Sequence, residues 1–329
     1  MTKVLRKSFL LNYVPVEGYY RQGDWFQISP PPVNAPRPPF IMGHHPIVIE
    51  LSYDSKHNGR TLPDGTAVPE SLLLAENHAK ALDEVVTLLS TITHYFIYNP
   101  SGEQQWFIGM GTEGNSVDSN DIQWGQNHYR IDDFAFDLSE FSKNDQKIPL
   151  IDNLEYFSRS GRKTDQTFDL PEIVDRFFEA YQTISEEMRL CFLNACTLFV
   201  QGLQISRKHP SIGFSTFVSS IESLIQYEYR DVSVKTCKTC GQARYQVTKK
   251  FQEFFRNYGS ATDEFRRFAI KVYASRSKVL HHGQLMFGDS REDGFGSFVF
   301  TDKYFMRQDL IKAVRVCLIN WLISKTENV

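Results

Sequence analysis

Three residues near the C-terminal end of the chain, Arg276, His281 and His282 in the stretch RSKVLHHG, combine types suited to proton transfer and charge neutralisation. Imidazole exchanges a proton near neutral pH, and a guanidinium offers forked donors to a developing oxyanion or a phosphate. The stretch closes a helical pattern in which Phe265, Phe268, Ala269, Val272 and Val279 mark one apolar face. Arg276 falls on that face. A cation there requires a partner, a ligand or an interface, since an unpaired buried charge is strongly destabilising. His281 and His282 lie about 140° and about 120° from Arg276 on an ideal helix, so neither shares its face unless the last turn unwinds at Gly283. The bland alternative is an arginine that snorkels to solvent and histidines that cap a helix end.

Two further groups carry chemical potential. Glu222 stands about 80° from Phe214, at the edge of the stripe formed by Phe214, Val218, Ile221 and Ile225. It either orients Arg276 or a histidine, or meets solvent as a border carboxylate. Cys237 and Cys240, in TCKTCGQ, have the knuckle spacing that presents two thiolates to one zinc. A structural zinc needs four ligands and the chain has no second knuckle, so this is a half-site. A symmetry mate, His281, His282 or His209 could complete it; otherwise it is a pair of reduced thiols in a connector. Cys191, Cys196 and Cys317 read as core residues. His44, His45, His57, His78, His94 and His128 show no ligand spacing and read as structural or exposed, and the glycines of FIGMGTEGN form no phosphate-binding loop.

The elements that must position these residues change character along the chain. With 329 residues, 41% hydrophobic and 14% aromatic, two domains are favoured. Residues 1–170 mix a proline-rich connector (SPPPVNAPRPPF), an alternating run (PIVIELSY), a helical stretch (PESLLLAENHAKALDEVVTLLSTI) and short strands at YFIYNP and QQWFIGM, which together define an α+β module. From Pro171 the period is helical almost throughout, in five stretches beginning at EIVDRFF, GFSTFV, ARYQVT, TDEFRR and RQDLIK, so residues 171–329 read as an all-α bundle. No apolar run reaches the ~18 residues of an ordinary membrane span, no secretory leader is evident, and five cysteines do not form a disulfide framework. The expectation is a cytoplasmic protein with no membrane partner. Net charge is −3, yet residues 230–280 hold 12 basic against 4 acidic side chains, a bias that attracts polyanions or simply solvates a helix face.

The segment VYASRSKVLHHG resembles the signature of HEPN domains, an arginine followed by four to six residues and a histidine near a helix end. Within them it is similar to the Apea-like group, whose form is Tyr, two residues, Arg-Ser, three residues, His-Gly. The resemblance spans residues 171–329 and includes FVSSIESLI, where the family carries a glutamate inside an apolar helix. It implies a HEPN-like helical bundle acting as a homodimer, a metal-independent endoribonuclease whose RNA products end in 2′,3′-cyclic phosphates, and a place in antiviral defence or stress response. Arg276 and a histidine would be catalytic, with Glu222 beside them and no cofactor for catalysis; the alternatives at Cys237 and Cys240, a structural zinc half-site or two reduced thiols, rest on their spacing and not on the resemblance. His281 matches the four-residue spacing, whereas His282 stands directly before the glycine, so both remain candidates. Ser277 stands where many active members have Asn, Asp or His, and the tyrosine two residues after the histidine is absent. Residues 1–170 would then sense an unknown ligand or protein, or position substrate. The reading of a different class is a non-catalytic HEPN-like module that binds RNA, a nucleotide or a protein.

Overall fold

The computed structural model describes residues 3–35, 45–55, 59–99, 104–108, 122–126, 136–159, 166–232, 235–236, 243–244, 246–286, 288–289 and 302–326. They form an N-terminal sheet region and a mostly helical C-terminal half. Two compact units result, and neither is contiguous: the sheet unit is Met1–Val86, Ile97–Leu150 and Gly161–Asp169, and the helical unit is Thr87–Phe96, Ile151–Ser160 and Leu170–Val329.

In the sheet unit the chain runs through β1 (Lys3–Asn12), β2 (Tyr20–Gln22), β3 (Phe26–Ser29), β4 (His45–Asp54), α1 (Glu70–Ile92), β5 (Gln104–Ile108), β6 (Ile122–Gln126) and β7 (Asp137–Leu138). β5 and β6 pair with each other; the remaining strands make a five-stranded sheet in the order β2-β3-β4-β1-β7. β1 pairs with β4 antiparallel from Lys3↔Asp54 to Asn12↔His45. One face of this sheet is apolar, with Leu10, Phe26, Ile28, Ile47, Ile49 and Leu51 fully buried. α1 covers it: His78 shares a 2.8 Å hydrogen bond with Ser8 Oγ and lies beside the Tyr53 ring at 5.3 Å.

The other face is polar. Gln27, Glu50 and Lys7 stand opposite one another in one row across β3, β4 and β1. Glu50 is only 1% exposed, and a carboxylate so buried needs full hydrogen bonding. It accepts from the Ser142 N–H at 2.7 Å and from the Ser142 hydroxyl, with Lys7 Nζ at 3.5 Å, while Gln27 Nε2 donates to the Ser142 carbonyl at 2.9 Å. The segment following β7 is thereby clamped over the sheet.

In the helical unit, β8 (Leu150–Ile151), α2 (Asn153–Ser158) and β9 (Leu170–Pro171) precede α3 (Val174–Thr183), α4 (Glu186–Ile205), α5 (Pro210–Glu228), the paired strands β10 (Lys235–Thr236) and β11 (Ala243–Arg244), α6 (Val247–Tyr258), α7 (Asp263–His282) and α8 (Asp302–Ser324). The stretch read as one helix over residues 172–205 is two. Ile184 is extended and Ser185 caps α4 by accepting from the Met188 N–H, with Glu186 and Glu187 in the favourable first turn. α4 and α5 approach closely at Gly202, where a Cβ would sit 2.5 Å from the Phe217 ring, and Ser220 Oγ donates to the Ala195 carbonyl at 2.7 Å. Trp321 of α8 stacks on Phe192 of α4 at 5.8 Å. By length and composition alone α4 is apolar enough to cross a membrane; its Phe192, Ala195, Cys196 and Phe199 are buried in this unit.

Candidate functional site

α7 carries the site, and its two ends are well defined. Thr262 caps the start by accepting from the Phe265 N–H, with Asp263 and Glu264 in the first turn. The helix runs regularly through His282 and stops at Gly283, whose φ of 63° belongs to the left-handed region that glycine adopts freely. The last turn therefore does not unwind. Beyond it the chain is pinned to the start of α5, where Pro210 opens the helix and His209 supplies no side-chain cap. Asp289 takes over that capping role, its carboxylate accepting from the Ser211 N–H at 2.6 Å, and the Met286 N–H donates to Ser211 Oγ at 2.8 Å.

Arg276 meets the residue the sequence singled out on α5. Its Nη2 donates to Glu222 Oε2 at 3.0 Å, while the Tyr273 hydroxyl, one turn earlier on α7, donates to Glu222 Oε1 at 3.3 Å. One carboxylate thus engages two side chains from a single helix face. The Arg276 and Glu222 side chains are 22% and 17% exposed, so the pair is screened from bulk water yet reachable from it. Arg276 Nε is buried without a hydrogen-bond partner among the described residues, which leaves one donor of the fork unspent. Burial first, and then the Glu222 charge, push the Tyr273 phenol above its ordinary value, so it remains a hydrogen-bond donor.

The histidines stand elsewhere. Because α7 is helical through residue 282, His281 and His282 keep their roughly 140° and 120° separation from Arg276. Both are exposed, with no hydrogen-bond partner among the described residues. They share the outward side of α7 with the exposed Arg267, Lys271 and Lys278. Within one chain the structure joins Arg276 to Glu222 and leaves both imidazoles apart from that pair.

Cys237 and Cys240 lie outside the described residues, in the stretch of sequence between β10 and β11. Among the described residues no group of three or more His, Cys, Asp or Glu side chains is placed to hold a metal ion. Cys196 and Cys317 are buried thiols whose ionisation burial suppresses, and Cys191 is half-buried.

Sequence reasoning missed a second polar cluster in the helical unit. Arg315 lies in the apolar run of α8 and is 3% exposed. Its Nε donates to the Thr91 carbonyl at 3.0 Å, its Nη1 lies 3.1 Å from His94 Nδ1, and its guanidinium sits 5.3 Å over the Phe199 ring. His94 Nε2 lies 2.7 Å from the Tyr156 carbonyl, which can only accept. That fixes the neutral tautomer with the proton on Nε2 and leaves Nδ1 to accept from Arg315. Burial, reinforced by the Arg315 charge, lowers the His94 pKa to about 3, and burial lowers that of Arg315 to about 10. No carboxylate pairs with Arg315 among the described residues. The only sequence signal was an arginine in the middle of an apolar helix.

Comparison of the chain with protein-family models, with curated proteins and with solved structures finds no match. The reading of the site therefore rests on its own residues and geometry.

Proposed function

We propose that the helical unit is a metal-independent endoribonuclease of the HEPN type that acts as a homodimer. The observation that carries this reading is the union of Arg276 and Tyr273, both members of the resembling motif, with Glu222, the glutamate expected inside an apolar helix. Glu222 holds the guanidinium in one orientation, and the partial exposure of the Arg276 side chain suits a phosphate approaching from solvent. A histidine would take the proton of a ribose 2′-hydroxyl or return one to the departing 5′-oxygen. Since imidazoles and guanidinium leave different faces of α7, a site using both draws them from two chains related by a two-fold axis. The exposed cations beside the histidines fit a polyanionic substrate. A setting in phage defence or stress response rests on the resemblance alone.

A second reading, a HEPN-like module that binds RNA, a nucleotide or a protein without cleaving it, draws on the same geometry: Glu222 already answers the Arg276 charge and the histidines face away. One experiment separates the two. Labelled RNA is incubated with the purified full chain in EDTA, and with Arg276→Ala, His281→Ala and His282→Ala variants. The nuclease reading expects 2′,3′-cyclic phosphate ends from the wild type, and loss of most cleavage with Arg276→Ala and with one histidine variant. Strict magnesium dependence with 5′-phosphate products, or wild-type rates in all three variants, removes it in favour of the binding module.

A further inference from the structure

The polar face of the sheet carries an open cleft of about 700 Å³, within the size range of small-molecule sites. Its floor is the row Ser52, Leu5 and Leu138, which stand opposite one another across β4, β1 and β7. One wall is the segment Ser139–Asn144, held down through Ser142 by the buried Glu50. Against that wall Arg21 lies 4.2 Å over the Phe141 ring and is committed to the Gly23 carbonyl at 2.8 Å and to Asp24 at 3.0 Å. The walls are thus fixed by their own bonds, which lowers the ordering cost of taking up a ligand.

What remains uncommitted defines the ligand. Lys3, Lys143 and Glu140 line the cleft with no hydrogen-bond or ion-pair partner among the described residues, and the Tyr19 hydroxyl is likewise unengaged. Two free ammonium groups against one free carboxylate call for a net anionic ligand, and lysine meets phosphate as a point charge. The carboxylate can accept from sugar hydroxyls, as an acidic side chain does toward ribose in nucleotide sites. The Tyr19 ring and the apolar Leu5 and Leu138 give a planar heterocycle a surface to lie on. A lone free carboxylate is too few ligands for a calcium ion, and a purely apolar ligand would make no use of the three charges at the rim. We propose that this cleft is a nucleotide-binding site, with Lys3 and Lys143 on the phosphate and Glu140 toward the ribose.

The test is calorimetric titration of the full chain with AMP and with ATP, with adenosine and inorganic phosphate as separate arms. Expected are saturable binding of at least one of the two nucleotides and affinity about tenfold or more weaker in the Lys3→Ala/Lys143→Ala double variant. Adenosine and inorganic phosphate should each bind more weakly than the nucleotide. Both lysines are exposed, so the variant should keep the wild-type far-UV circular dichroism. The proposal is overturned if neither nucleotide binds at millimolar concentration, if the double variant binds equally well, or if adenosine or phosphate alone matches the nucleotide.

Discussion

The buried contact between His94 and Arg315 makes a quantitative statement about acid stability. His94 is held neutral in the folded chain down to about pH 3, against an ordinary value of 6.5, because protonation would place a second cation against Arg315 out of water. The unfolded chain takes up the proton as pH falls below 6.5 and the folded chain does not, so the contribution is present above that pH and lost on the way down to 3. The slope approaches about 1.4 kcal/mol per pH unit, and between about pH 7.5 and about pH 4.5 the loss is on the order of 2–3 kcal/mol. His94→Gln keeps a neutral polar side chain but removes the titration. Urea unfolding followed by far-UV circular dichroism at both pH values measures wild type and variant. Carboxylates that titrate in the same range cancel in the difference between them. The variant should lose about 2–3 kcal/mol less than the wild type on acidification. Equal losses would falsify the assignment of a neutral, Arg315-facing imidazole.

At the candidate site, a double-mutant cycle with Glu222→Gln and Arg276→Met should give a coupling of about 1–2 kcal/mol in urea unfolding, since the pair is mostly shielded from water; additivity within about 0.3 kcal/mol would show that the two do not act as a pair. A fragment of residues 171–329 lacks Thr91, His94 and Tyr156 and leaves Arg315 buried beside none of them. It should be less stable than the helical unit of the full chain by about 3–5 kcal/mol, or fail to fold, and a matching urea midpoint would contradict this. Zinc analysis of the purified chain, with and without Cys237→Ser/Cys240→Ser, tests the half-site. Metal present in the wild type and absent in the variant is expected, and equal metal content in both rules out those thiols as ligands.

How much of this could be read in advance depended on how local each feature is. β4 and α1 were visible because alternation and helical period are properties of adjacent residues. β1 was not: Arg6, Lys7 and Ser8 interrupt its apolar pattern, and their places depend on Asp137, Glu50 and His78, contributed by distant parts of the chain. The break between α3 and α4 did leave a signal, a serine followed by two glutamates, which an otherwise continuous apolar period masked. On α7, angular arithmetic correctly separated both histidines from Arg276 because the helix stays regular to its end. Glu222 could be placed at the border of its stripe but not paired, since it reaches Arg276 across 54 positions of sequence. Arg315 was invisible for the same reason, its imidazole partner lying 221 positions earlier.

The chain passes from one compact unit to the other five times, after Val86, Phe96, Leu150, Ser160 and Asp169. A single protease nick at any of these crossings still leaves the two units joined by four unbroken connections. The same path governs how such a gene can be recombined. An exchange at one breakpoint cannot hand over either unit whole, because residues 87–96 and 151–160, which bring Thr91, His94 and Tyr156 to Arg315, are encoded on the far side of the sheet unit's own segments. The nuclease candidate and the cleft proposed for nucleotides are thus inherited as one cassette.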